Sequence, residues 1–179
     1  TGEVSPDMLQ EFGVQYCLVG HSERRALLGE TDEMVGKKAA ALQSAGIVPV
    51  ICVGENEAQN KKGEVNKILR QQVTAALAGL KPEGKTPFVF AYEPIWSIGT
   101  GKACPAQKAK EAHEVIRAAI QKKFSASLAD KVRVIYGGSV DANNISEYIT
   151  TTGVNGALVG GDSLDPRAFA FLCRTANPA

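Results

Sequence analysis

Short, continuous apolar runs alternate with stretches of helical periodicity along this chain. Residues 14–19, 47–53, 88–92, 132–136 and 156–159 are apolar without regular polar alternation. Such runs predict strands buried on both faces, and therefore a parallel sheet. Helical spacing falls between them. Residues 5–12 open a helix, with Ser5 as its cap, Pro6 at the first helical position and Gly13 as its stop. Residues 32–45 place Met34, Val35, Lys38, Leu42 and Ala45 on one stripe. Residues 64–77 do the same with Val65, Ile68, Leu69, Val73 and Leu77, and 105–124 with Ala109, Ala112, Val115, Ile116, Ala119 and Ile120. Shorter helices are expected over 142–149 and 166–174.

Strict strand–helix alternation predicts one α/β domain over 1–179, built from five strand–helix units. Its strands end in glycine or an acid, so functional groups are expected at their carboxyl ends. A closed (β/α)8 barrel needs eight strands and about 250 residues. The chain also opens on a helix, which implies a strand before it. The N-terminal part of a barrel is therefore expected to lie outside this sequence.

Composition narrows the partners. The chain has 179 residues, 44% of them hydrophobic and 22% charged, with 20 basic and 19 acidic side chains. That is enough for one real core. A net charge of +1 without basic or acidic runs gives no footprint for nucleic acid or a membrane surface. No apolar run is long enough to span a bilayer, and the first residues do not read as a signal peptide. Cys17, Cys52, Cys104 and Cys173 have wide, irregular spacing. They predict neither zinc nor a disulfide framework; Cys17 and Cys52 read as small buried hydrophobes. Reduced thiols fit a cytoplasmic location.

Candidate chemistry centres on 88–102, where an apolar strand runs into Glu93 and Pro94 forbids its continuation. A loop follows, with Trp96 as an anchor and Gly99 and Gly101 as flexible points. This reads either as an ordinary strand end or as a fixed carboxylate beside a mobile cover, which suits proton abstraction away from water. His21 ends the first strand and begins a helical turn that Ser22 is placed to cap. Positive potential at a helix start disfavours imidazolium there. Gly137-Gly138-Ser139 and Gly160-Gly161 end the last two strands. Each is a simple turn or a place where backbone N–H groups meet an anion. A short helical turn over 162–164 would favour phosphate. His113 lies mid-helix and reads as structural.

These residues together resemble the triosephosphate isomerase family. The matching runs are Gly-His-Ser-Glu-Arg-Arg at 20–25, Ala-Tyr-Glu-Pro-Ile-Trp-Ser-Ile-Gly-Thr-Gly-Lys at 91–102, Tyr-Gly-Gly-Ser-Val at 136–140 and Leu-Val-Gly-Gly at 158–161. The resemblance covers essentially the whole chain. It implies a (β/α)8 TIM barrel and cofactor-free interconversion of dihydroxyacetone phosphate and D-glyceraldehyde 3-phosphate through an enediolate, in glycolysis and gluconeogenesis. Glu93 matches the base and His21 the neutral electrophile. Ser22 and Glu23 match groups that position the site. Gly99, Ser139, Gly160 and Gly161 match the phosphate grip. Pro94, Ile95, Trp96, Ser97, Ile98, Gly99, Thr100, Gly101 and Lys102 match the lid, which opposes phosphate elimination from the intermediate. No metal is implied.

The resemblance also implies a homodimer, with Thr1-Gly-Glu3 matching the end of a loop that inserts into the partner. The family's first three strands, an asparagine and an active-site lysine have no counterpart here, and Lys102 matches only the lid's far end. The 179-residue chain by itself is therefore expected to be inactive. Turnover by the mass-verified chain, free of longer enzyme, would refute this. Two other readings stand beside it: a different phosphate-binding (β/α)8 enzyme, and a non-catalytic barrel fragment. Asp162 is expected to point outward or to cap the following turn.

Overall fold

A computed structural model describes residues 3–82 and 87–177. Thr1 and Gly2 of the expected partner-inserting loop lie outside the described residues, while Glu3 pairs with Arg24 and Lys38.

Four parallel strands form the sheet in sequence order: β1 (Tyr16–Val19), β2 (Val48–Val53), β3 (Val89–Tyr92) and β4 (Arg133–Tyr136). In register, Val19 lies opposite Ile51, Val53 opposite Tyr92, and Tyr92 opposite Tyr136. The helices are α1 (Pro6–Glu11), α2 (Ser22–Leu28), α3 (Asp32–Ser44), α4 (Glu57–Lys61), α5 (Val65–Ala76), α6 (Ala106–Lys123), α7 (Ala126–Lys131), α8 (Ile145–Thr150) and α9 (Pro166–Ala176).

Local chemistry accounts for several starts. The Ser5 hydroxyl accepts from Met8 N–H at 3.3 Å, and Thr31 does the same for Met34 at 3.2 Å. Asp165 accepts from the N–H groups of Arg167 and Ala168 at 2.7 and 3.1 Å, with Pro166 behind it. Asp165, not Asp162, thus caps α9. The α4 and α7 helices were not expected from the sequence. Each is too short to show periodicity, but each carries a cap. Asn56 and Gln59 form a reciprocal capping box at 2.9 Å, and Ser125 caps α7.

The sheet corrects the expected fifth strand over 156–159. Ala157 makes a single parallel bridge to Tyr136. Gly156 sits at φ 148°, outside strand geometry. In the described structure that backbone turn leaves one bridge beside Tyr136 where a strand would make a ladder. The strands are also not uniformly buried on both faces. Residues alternate between a helix-packed face, with Ile51, Val53, Phe90, Tyr92, Val134 and Tyr136, and an inner face with Val50, Cys52 and Ala91. On β1 the inner-face residues Tyr16 and Leu18 are 56% and 45% exposed. Cys17 is only half-buried, whereas Cys52 is fully buried, and all four thiols are free.

The core is otherwise helix on sheet. Leu69, Val73, Ile116 and Ile120 are completely buried; full burial of such a side chain contributes about 1.5–3 kcal/mol. Met34 departs from its expected stripe and is exposed, while Gly36 and Gln43 of the same helix are buried. Gly36 faces the Ala75 carbonyl on α5 so closely that a side chain would collide with it. Among the described residues no helix is long and apolar enough to cross a membrane.

His113 is 1% exposed, edge-on to Tyr92, with Nδ1 3.3 Å from the Gly153 carbonyl and no partner for Nε2. Burial lowers its pKa from 6.5 to about 4. The unfolded chain therefore binds a proton that the fold rejects between those values. Stability is expected to fall by about 3 kcal/mol as pH drops from 6.5 to 4. Urea titrations of wild type and His113→Phe across that window check this: the variant should lose that part of the slope.

Candidate active site

Strand parity decides which acids meet. Counting from Val50 and Cys52 on the inner face of β2, Gly54 points inward and Glu55 toward the helices. On β3, Ala91 and then Glu93 point inward, and Tyr92 toward the helices. Two buried carboxylates from neighbouring strand ends are thereby sent to opposite sides of the sheet.

Glu93, 2% exposed, stands at the inner carboxyl end. Its N–H donates to the Val53 carbonyl at 2.7 Å, which extends the β2–β3 pairing to the acid itself. Its Oε2 accepts from Ser22 N–H at 3.1 Å, and its Oε1 lies 3.4 Å from His21 Nε2. Burial raises the Glu93 pKa. Its neighbours His21, the Cys52 thiol, the Ser22 N–H and Arg25 pull it back, without cancelling the effect of burial. The recess around it is lined by Gly20, Ser22, Arg25, Cys52, Gly54 and Ile95.

His21, rather than Ser22, caps α2. Its Nδ1 accepts from Glu23 N–H at 3.3 Å. A nitrogen that accepts carries no proton, so in the neutral ring the proton sits on Nε2, the atom facing Glu93. Ser22 and Glu23 both act through their backbones, and the Glu23 side chain is exposed. Arg25 ties the two adjoining strand ends together. It donates to the carbonyls of Gly20 at 2.7 Å and Cys52 at 3.3 Å, and pairs with Asp32 at 2.6 Å.

Glu55, which the sequence analysis did not single out, is a buried acid beside the candidate site. It is 1% exposed, and burial raises its pKa. Its carboxylate accepts from Trp96 Nε1 at 2.7 Å and from Tyr92 Oη at 3.2 Å. Its carbonyl accepts from Ile95 N–H at 3.1 Å. The segment after Glu93 is thus pinned at its start, where Pro94 leads into a short 3₁₀ turn, Ile95–Ser97. Thr100 Oγ1 closes back on the Ser97 carbonyl at 3.2 Å, while Gly99, Thr100, Gly101 and Lys102 are exposed. Ile98 is half-buried. The available signal was the acid directly after Gly54 at the end of an apolar run.

The glycine turns occupy the same carboxyl side. Gly137 donates to the Tyr92 carbonyl at 2.8 Å, and a side chain there would press on Glu93 Cγ. Ser139 is half-buried and its carbonyl accepts from Asn144 Nδ2 at 3.2 Å. Gly160 and Gly161 are exposed, with open space where side chains would project. A short 3₁₀ turn, Gly161–Leu164, begins there and holds Asp162 half-buried. Among the described residues no three His, Cys, Asp or Glu side chains are grouped to hold a metal.

Four parallel strands with helices outside them, and polar groups gathered at their carboxyl ends, form an α/β arrangement that matches part of a (β/α)8 barrel. The family model for triosephosphate isomerase matches residues 1–176. A triosephosphate isomerase from Streptococcus thermophilus is 48% identical over 172 residues, 96% of this chain and 68% of the relative. Those of Idiomarina loihiensis and Symbiobacterium thermophilum are 47% and 44% identical, covering 99% and 100% of this chain and 70% of each relative. The chain belongs to the triosephosphate isomerase family.

Proposed function

We propose that Glu93 moves a proton between adjacent carbons of a triose phosphate, interconverting dihydroxyacetone phosphate and D-glyceraldehyde 3-phosphate. The observation that carries this is the 2%-exposed carboxylate 3.4 Å from an imidazole nitrogen whose ring partner is already accepting. Burial makes Glu93 a stronger base than a solvated carboxylate. The Nε2–H of His21 donates to the oxygens on which enediolate charge develops. Gly99, Ser139, Gly160 and Gly161 grip the phosphate, a role supported by the bare backbone at the three glycines. Pro94 to Lys102 closes over the site and keeps water from the intermediate. Its anchored start and its left-handed Gly99 and Gly101 support that role. The reading includes the family's homodimer and a cytoplasmic location, and requires no cofactor.

The test follows dihydroxyacetone phosphate in D2O by NMR with the complete enzyme. Deuterium is expected on carbon in both isomers, at a rate that Glu93→Gln lowers by about 10³-fold. Isomerisation that proceeds at the same rate in Glu93→Gln, or none at all in the parent enzyme, would count against the assignment.

The acid limb of kcat/KM should follow Glu93, because only its ionised form abstracts a proton. The Cys52 thiol stabilises that ionised form, so Cys52→Ala is expected to move the limb to higher pH. A limb that stays in place or moves down excludes the thiol from tuning the base.

A further inference from the structure

A buried backbone clamp lies just beyond segment 94–102, apart from the proton-transfer site. Cys104 is completely buried, just beyond Lys102 and immediately before Pro105. Its N–H donates to Tyr136 Oη at 3.1 Å, and its carbonyl accepts from Tyr148 Oη. The two tyrosine rings are 0% and 1% exposed and stack with centroids 4.1 Å apart and planes at 16°. One comes from β4 and the other from α8, so two separate elements grip one residue from both sides of its backbone.

The position of that residue gives the grip its meaning. Pro105 has φ −52° and leads directly into the 18-residue α6. Its ring locks that torsion, so swinging of the segment must be absorbed no later than Cys104. The start of the same segment passes close to the same tyrosine. A side chain on Gly138 would lie 2.1 Å from Tyr136 Oη and 2.6 Å from Ser97 Oγ, so these atoms crowd one point. Ser97 is fully buried and donates to the Pro94 carbonyl at 2.9 Å. Both ends of 94–104 therefore converge on the tyrosine stack, while its middle is exposed.

We propose that Tyr148 is a positioning residue that fixes the C-terminal hinge of the lid through the Cys104 carbonyl. The proposal rests on reading 94–102 as a lid. Tyr148 touches none of the reacting groups. Its hydroxyl holds the hinge peptide where rigid helix gives way to moving loop, and its ring keeps Tyr136 in place for the N–H on the other side. A hinge held at both peptide atoms restricts the open ensemble and lowers the ordering cost of closure.

Tyr148→Phe keeps the ring and removes only the hydroxyl. Hydrogen exchange, read by mass spectrometry on peptides spanning 98–104, is expected to rise about tenfold in the variant. Peptides from β2, α5 and α8 should exchange as in wild type. Glycerol 3-phosphate should protect 94–102 in wild type, and its affinity should fall about threefold to tenfold in Tyr148→Phe, the factor carried by one buried hydrogen bond. Trp96, the single tryptophan, supplies a second readout through a ligand-induced emission change that weakens in the variant. Unchanged exchange at 98–104, or a uniform rise that includes α8 and β2, would overturn the hinge role and leave Tyr148 as a packing residue. Equal ligand affinity in the two proteins would also overturn it. Absence of any protection or emission change in wild type would sink the lid reading, and the hinge proposal with it.

Discussion

Glu93→Gln in the complete enzyme is expected to lower kcat by about 10³-fold, the scale of a positioned general base. Affinity for glycerol 3-phosphate should change by less than about threefold, because the substitution keeps the shape of the side chain. The amide can still accept from Ser22 N–H, so the recess keeps its geometry. What it cannot do is take a carbon-bound proton. A loss shared equally between kcat and affinity would mean that the carboxylate serves binding rather than proton transfer. Steady-state kinetics together with a direct binding titration separate the two outcomes.

The second large effect is expected at Gly54. A Cβ there would sit 1.8 Å from the Glu93 carbonyl oxygen and 2.5 Å from its carbonyl carbon. Backbone on both sides leaves no flexible atom to give way, so Gly54→Ala must push the ends of β2 and β3 apart. The cost is about 3 kcal/mol, as for severe overpacking, which lowers Tm by roughly 10 °C in a domain of this size. Displacing Glu93 by about 1 Å should also lower kcat about 100-fold in the protein that remains folded. Thermal unfolding and kinetics on the soluble variant check both. A stable variant with normal turnover would show that the two strand ends are free to separate.

The hydroxyl clamp at Cys104 and the carboxylate of Glu55 show what close packing adds to these effects. Trp96 is held at 2.7 Å by an acid 41 residues away, from the neighbouring strand end. That acid stays buried because Tyr92 and Trp96 both donate to it, which offsets part of its desolvation. The start of the segment is therefore attached to the sheet by a polar contact that does not belong to the base. Glu93 and Trp96, three residues apart, answer to different partners on different faces.

Several parts of this arrangement were legible in the residues alone. Apolar runs at 47–53, 88–92 and 132–136 became β2, β3 and β4 with small changes at the ends. Pro94 stopped β3 where its missing N–H and fixed φ required. The long helices followed from their stripes. The run at 156–159 failed as a strand because apolar composition does not reveal the φ of 148° that Gly156 adopts at its start, which leaves a single bridge to Tyr136. The short helices α4 and α7 escaped because five or six residues are too few to show a period, although their caps were present. His21 was read as a residue at a helix start, but its role as the cap depended on an imidazole orientation that spacing does not reveal.

The sequence by itself determined an alternating parallel α/β chain, an acid at a strand tip before proline, a histidine at another strand end, and glycines at the last two. These are local matters of period, backbone restriction and side-chain type. Only the tertiary structure decided that Glu93 meets His21 and Ser22 from 71 or more residues away. It also sent Glu55 to the opposite face and brought Tyr136 and Tyr148 together around Cys104. The reason is register: a strand's alternation says that neighbours face opposite ways, but only pairing with the next strand says which face each acid shares, and with whom.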